Sequence, residues 1–148
     1  MANVYSVEYS KLVATPPKKL ATTELGGRLR IGSWKYVVPA GNQAINDLIF
    51  CTRIPAGSRL ISGRAVWEAM STGGAAASVQ IGDGTTANRF LDTTSVDAAG
   101  NSSFLDQIVL DNLADITVDT DIIAKVLTEA WAATKKFYGH VIYVHEGD

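Results

Sequence analysis

The chain has 148 residues, which makes one domain with a substantial core and is too short for two full domains. With 47% hydrophobic and 19% charged residues it is not disordered throughout, and a net charge of −2 leaves no electrostatic footprint for nonspecific nucleic-acid binding. The single cysteine, Cys51, rules out an internal disulfide, so the fold must rest on packing and hydrogen bonding.

Residues 1–26 differ in character from the rest of the chain. Tyr5, Val7 and Tyr9 alternate with polar residues, as a short strand would. Ala14-Thr15-Pro16-Pro17 then favours an extended polyproline conformation, because adjacent prolines donate no ladder hydrogen bonds. The segment ends at Gly26-Gly27. It reads as an extended N-terminal arm, with a reach of ~85 Å at about 3.3 Å per residue. The aromatics set it apart from a plain disordered tail. It lacks the basic start and continuous apolar stretch of a signal peptide. No apolar run in the chain approaches the ~20 residues that span a bilayer, so no membrane partner is expected.

From 27 to 148 the chain reads as one β domain. Leu29, Ile31, Trp34, Tyr36 and Val38 mark a first strand, stopped by Pro39-Ala40-Gly41-Asn42. A second centres on Leu48-Ile49-Phe50-Cys51, and Pro55-Ala56-Gly57-Ser58 turns the chain again. Residues 60–69 then alternate. Leu60, Ser62, Arg64, Val66 and Glu68 are expected on one face, and Ile61, Gly63, Ala65, Trp67 and Ala69 on the other, more apolar one. Val79 and Ile81 mark a short strand, closed by Gly82-Asp83-Gly84. Arg89-Phe90-Leu91 follows, then a turn at residues 97–101. Residues 122–133 suit two descriptions. Their composition and the spacing of Ile123, Val126, Leu127, Ala130 and Trp131 fit a helix, whereas the strand-like context favours a hairpin of 121–131 with 136–146 turning at 132–135. The hairpin is the preferred reading. About eight short strands separated by turns predict an all-β antiparallel sandwich or jelly roll.

Little of this sequence carries chemistry. His140 and His145 are five apart, which places them on opposite faces of a strand, where they cannot share a metal. Cys51 sits in an apolar run and reads as a small core residue. Ser58 and Ser62 lie near glycines but in no strand–turn–helix nucleophile elbow. Gly82-Asp83-Gly84-Thr85-Thr86 lacks the Lys-Ser/Thr of a phosphate loop and the spaced ligands of a calcium loop, and reads as a tight turn. Asp111, Asp115, Asp119 and Asp121 form either a cation-binding cluster or, more commonly, a solvated rim or the acidic side of an interface. Trp34, Trp67 and Trp131 fall one per strand-like run, and at least two should be buried. An exposed one would mark a contact surface or a sugar-stacking platform. The expectation is therefore no catalytic residue, no cofactor and no metal.

Charge is unevenly distributed. Residues 1–64 carry nine Lys/Arg against Glu8, Glu24 and Asp47, while residues 65–148 carry four against twelve acids. Either the two halves intermix in one fold and neutralise each other, or the subunit is bipolar and sets its basic part against acidic neighbours.

The segments MANVYSVEYSKLVATPP, RIPAGSRLISGRAVWEA, VQIGDGTTANRFLDTTS, VDTDIIAKV and GHVIYVHE together resemble the capsid decoration, or cement, proteins of tailed bacteriophages. The resemblance covers most of the chain and consists of turn and strand patterns rather than ligand motifs. It implies a non-enzymatic jelly-roll protein, made in the host cytoplasm and bound as a homotrimer to the outer surface of the phage head. There it would bridge neighbouring capsomers, with the major capsid protein as its partner. Shell or neighbour contacts are then expected from Tyr5, Tyr9, Lys11, Lys18 and Lys19 of the arm. The alternative function is a tail, fibre or head-surface module that binds carbohydrate. A hydrolase whose triad assembles only in space is a third reading.

Overall fold

The computed structural model describes residues 28–105 and 115–145. Nine strands follow in order: β1 (Arg28–Val37), β2 (Leu48–Ile54), β3 (Ser58–Trp67), β4 (Ser78–Gly82), β5 (Leu91–Ser95), β6 (Gly100–Phe104), β7 (Asp115–Ile116), β8 (Thr120–Leu127) and β9 (Lys136–His145). One sheet has the order β1-β9-β3-β6, with the short β7 pairing to β3, and the other has the order β2-β8-β4-β5. Every pairing is antiparallel. The chain changes sheets at most connections, which is jelly-roll topology, and the predicted fold class is correct. The expected arm, 1–26, lies outside the described residues.

The strands form where side chains alternate between core and surface. In β1, Trp34 turns inward and is buried, Tyr36 is half-buried, and Leu29, Ile31, Ser33, Lys35 and Val37 face outward. The facing sheet sends Ile49 and Ile54 of β2, Val79 and Ile81 of β4, and Ile122, Ala124 and Val126 of β8 into the same core. Aromatic rings run through the middle. Trp34 lies 6.4 Å from Phe104 and 6.0 Å from Phe137, and Phe137 lies 5.3 Å from Trp131. All three tryptophans are buried, one more than the minimum expected.

Two glycines make room for these rings. A Cβ on Gly139 would sit 2.0 Å from Trp34 Cζ2, and one on Gly63 would sit 2.3 Å from Phe104 Cε2. Gly139 is the cross-strand partner of Trp34 and Gly63 that of Phe104, so each ring folds back over its neighbour's bare backbone.

Three expectations need correction. The expected alternation in β3 assumed unbroken period two. The pairing with β9 shifts between Leu60 and Ser62, leaving Ile61 as an extra residue. Leu60 therefore points into the core with Ala65 and Trp67, and Ile61 is exposed. The turn at 97–101 is shorter than expected, because Gly100 and Asn101 already belong to β6.

The third correction concerns residues 121–146. Residues 120–127 are a strand and not a helix, because β8 lies between β2 and β4 and its ladder bonds and alternating burial outweigh helical propensity. However, β8 and β9 do not form a hairpin, since they belong to opposite sheets. The connection between them plugs one end of the sandwich. Trp131, with no exposed surface, exchanges backbone hydrogen bonds of 2.9 Å with Gln43, and Ala132 N–H donates to Met70 O at 2.7 Å. Burying that indole turns the chain inward where a hairpin would have kept it on the sheet edge.

Candidate functional site

Among the described residues, several groups able to do chemistry are engaged in structural bonds. Ser58 and His145 are cross-strand partners of β3 and β9, and Ser58 Oγ lies 3.0 Å from His145 Nδ1. Sequence reasoning missed this pair, because it arises from register between strands 87 residues apart. It is a nucleophile–base contact in type only. Ser58 is 3% exposed, so a substrate has no approach to its hydroxyl. His140 and His145 lie at opposite parity on β9, as expected, and no group of three His, Cys, Asp or Glu side chains among the described residues is placed to hold a metal ion.

The acidic run pairs with the basic first half of the chain. Arg53 grips Asp121 with two hydrogen bonds of 2.7 and 3.0 Å, Arg59 lies 3.7 Å from Asp115, and Asp119 accepts the Ala56 N–H at 3.0 Å. Asp111 lies outside the described residues. These pairs join β2 to β8 and β3 to β7, so the intermixed reading of the charge asymmetry describes this part of the molecule. Being exposed, they are worth little as stability.

The Gly82-Asp83-Gly84 segment is the expected turn. Asp83 Oδ1 accepts the N–H groups of Thr85 and Thr86 at 2.8 and 2.7 Å, and Arg89 donates to Oδ2 at 2.7 Å. Burial pushes this carboxyl's pKa up, but the Arg89 bond and the two N–H donors outweigh it and leave the carboxyl below its usual range. All of its strong donors come from within the turn, which leaves it a structural role.

Glu129, in the connection after β8, fastens the neighbouring loop. Its carboxylate accepts from Ser71 Oγ, from the Thr72 hydroxyl and N–H, and from the N–H groups of Gly74 and Ala76. The Thr72 side-chain bond first, then the Gly74 and Ala76 amides, hold its pKa at about 2. Cys51 is the extra residue of a β2 irregularity between Phe50 and Thr52 and packs against the core. Burial pushes its thiol up to about 12, which favours the less reactive protonated form.

Surface apolarity is a further feature of the described residues. Leu29, Ile31 and Phe50 are each 66% exposed, and Leu48 is 52% exposed. Leu29 and Ile31 lie on the outer face of β1. Leu48 and Phe50 lie on the outer face of β2, beside a cavity of about 170 Å³ lined in part by Leu48, Ile123 and Lys125. Both strands are sheet edges. Large apolar side chains exposed at sheet edges are the kind of surface that marks an interaction site. One sequence signal was available: β1 carries apolar residues at both parities, which a strand with one face in water does not need. The expected contact residues Tyr5, Tyr9, Lys11, Lys18 and Lys19 lie outside the described residues. With all three indoles inside, the stacking platform of a sugar-binding module finds no tryptophan.

No family model matches the sequence, and no curated protein is significantly similar to it. Solved structures do share its fold. A chain from the capsid of Ralstonia phage GP4 superposes with a TM-score of 0.70 at 17% identity, covering 82% of this chain and 87% of that one. A chain from the acid-stable capsid of Helicobacter pylori bacteriophage KHP30 gives 0.56 at 17% identity, over 78% and 86%. One from the capsid asymmetric unit of cyanophage Pam1 gives 0.54 at 15%, over 80% and 84%. These structural neighbours are thus phage capsid components, matched over about four fifths of this chain.

Proposed function

We propose that this chain is a structural protein of a phage head, and specifically a decoration protein that binds the outer surface of the shell as a homotrimer. The observation that carries the reading is the superposition on the GP4 capsid chain over more than four fifths of both partners. The resemblance of the sequence to decoration proteins agrees with it. So does the bonding of Ser58, Glu129 and the Asp115–Asp121 run, which leaves apolar edges as the surface with work to do.

Mechanically, such a protein acts by adhesion. A trimer in contact with several capsomers adds a modest contact to each, and linking those contacts raises the overall avidity well above any single one. The arm, with Tyr5, Tyr9, Lys11, Lys18 and Lys19, supplies contacts to the shell or to a neighbouring subunit, and its basic residues suit an acidic shell surface. The arm and the 27–148 domain divide the labour between reach and rigidity. The subunit is made in the host cytoplasm, joins the major capsid protein and needs no cofactor.

The test is addition. Purified protein is incubated with expanded heads that lack it, and the heads are then challenged with heat or a chelator. Rescue together with co-sedimentation supports the reading, whereas heads that neither bind the protein nor gain resistance exclude it.

A further inference from the structure

Among the described residues, four strands form the sheet edges: β1 and β6 in one sheet, β2 and β5 in the other. Three of them are blunted against further pairing. β2 carries the irregularity at Cys51, β5 has five residues and an irregular pairing with β4, and β6 has five residues. β1 differs from all three. It runs ten residues, pairs with β9 in ten consecutive steps without a bulge, contains no proline, and exposes Leu29 and Ile31. Among the described residues nothing pairs with its other side. A long, regular, apolar edge is a template for one more strand.

We propose that the occupant of the β1 edge is the segment Val4–Ser10 of a neighbouring copy, added as a strand. This deepens the homotrimer reading and rests on it. Three observations select the segment. First, the charges of β1, Arg28, Arg30 and Lys35, are all basic, so a second β1 is repelled, whereas Val4–Ser10 carries no base and one acid, Glu8. Second, a strand of this segment paired so that Tyr5, Val7 and Tyr9 fall on the face of Leu29 and Ile31 would set Glu8 on the face of Arg30. Third, the competing local choice has a favourable Gly-Gly turn but sets polar partners against the exposed apolar residues of β1. Folding residues 20–25 back across Gly26-Gly27 makes a two-residue hairpin in which Leu25 opposes Arg28, and this sets Glu24 and Thr22 beside Leu29 and Ile31.

The intervening chain supplies the reach. Arg28 lies eighteen positions after Ser10, ~60 Å when extended, and Pro16-Pro17 favours an extended conformation over ladder pairing. Each copy then lends its strand to the next, a head-to-tail contact that closes as a ring of three.

The experiment uses the full chain in a Cys51→Ser background. One chain carries Val7→Cys and another carries Ile31→Cys, with Tyr5→Cys and Tyr9→Cys covering the neighbouring registers. The two are refolded together and oxidised. A covalent heterodimer of twice 15.8 kDa supports the proposal. In parallel, deleting residues 2–12 is expected to lower the mass in solution threefold. A disulfide that forms only within one chain carrying both substitutions places the arm on its own β1 and overturns the proposal. So does a trimer that survives the deletion without any cross-link, which leaves the decoration reading intact. A full-length chain that is a monomer at high concentration removes the trimer itself, and so identifies failure at the earlier step.

Discussion

Gly63→Ala provides a sharp test of how the core is built. The new methyl would stand 2.3, 2.4 and 2.8 Å from Cε2, Cζ and Cδ2 of Phe104, against ordinary contact at 3.4–4 Å. The ring must retreat by more than 1 Å, yet it is 2% exposed and leans on Trp34. Overpacking of this kind costs about 1–3 kcal/mol. Phe104→Ala alone leaves a cavity and costs about 3–5 kcal/mol. The three nearest atoms to the new methyl all belong to that one ring, so removing the ring removes the strain, and the methyl partly fills the void. The double variant should therefore be no less stable than Phe104→Ala, with a coupling of about 1–3 kcal/mol relative to additivity. Urea unfolding followed by tryptophan fluorescence, at one fixed protein concentration, measures all four corners of the cycle. Additive effects, or a Gly63→Ala protein within about 0.5 kcal/mol of the parent, would show that the close approach is not a constraint.

Glu129→Gln should loosen the loop at residues 71–76, seen as faster amide exchange at Gly74 and Ala76. Because the folded carboxyl has a pKa of about 2, below its ordinary 4.5, its contribution is complete above about pH 4.5 and fades as the pH falls toward 2. The gap between parent and variant unfolding midpoints should close over that window, and a gap independent of pH would contradict the assignment. Cys51 should resist a thiol reagent at about pH 8 in the folded protein and react fully in urea, and rapid reaction of the native protein would refute its burial. Ser58→Ala should cost about 0.5–1.5 kcal/mol by deleting the bond to His145, and leave binding to heads unchanged. Lost head binding in a folded Ser58→Ala protein would show that the pair does more than hold β3 to β9.

Much of the architecture was legible in the residues. Turn chemistry at Pro39–Asn42, Pro55–Ser58 and Gly82–Gly84, the run of strand formers from Leu29 to Val38 and the short alternation at Val79–Ile81 marked real strand boundaries, because turn geometry and strand preference are local properties. The tight turn at Asp83 was likewise predictable, its donors lying within six residues. Local reasoning failed where one residue changed the phase. The extra residue at Ile61 flipped Leu60 into the core, and no nearby signal announces such a bulge. It failed again at residues 122–146, where each strand was recognisable but its partner was not. Sheet membership was decided by long-range contacts, such as the backbone bonds of Trp131 to Gln43 and of Ala132 to Met70, far away in the chain.

Composition, turns and alternation thus determined that the chain is an all-β sandwich without a disulfide or a legible catalytic motif. Tertiary structure alone decided which strands lie side by side, that Ser58 meets His145 and Glu129 gathers the 71–76 loop, and that β1 keeps a long unblunted edge with Leu29 and Ile31 in solvent. The difference has one physical cause. Turns and alternation depend on neighbours in the chain, whereas pairing, burial and edge exposure depend on contacts across it, and those exist only once the whole sandwich has closed.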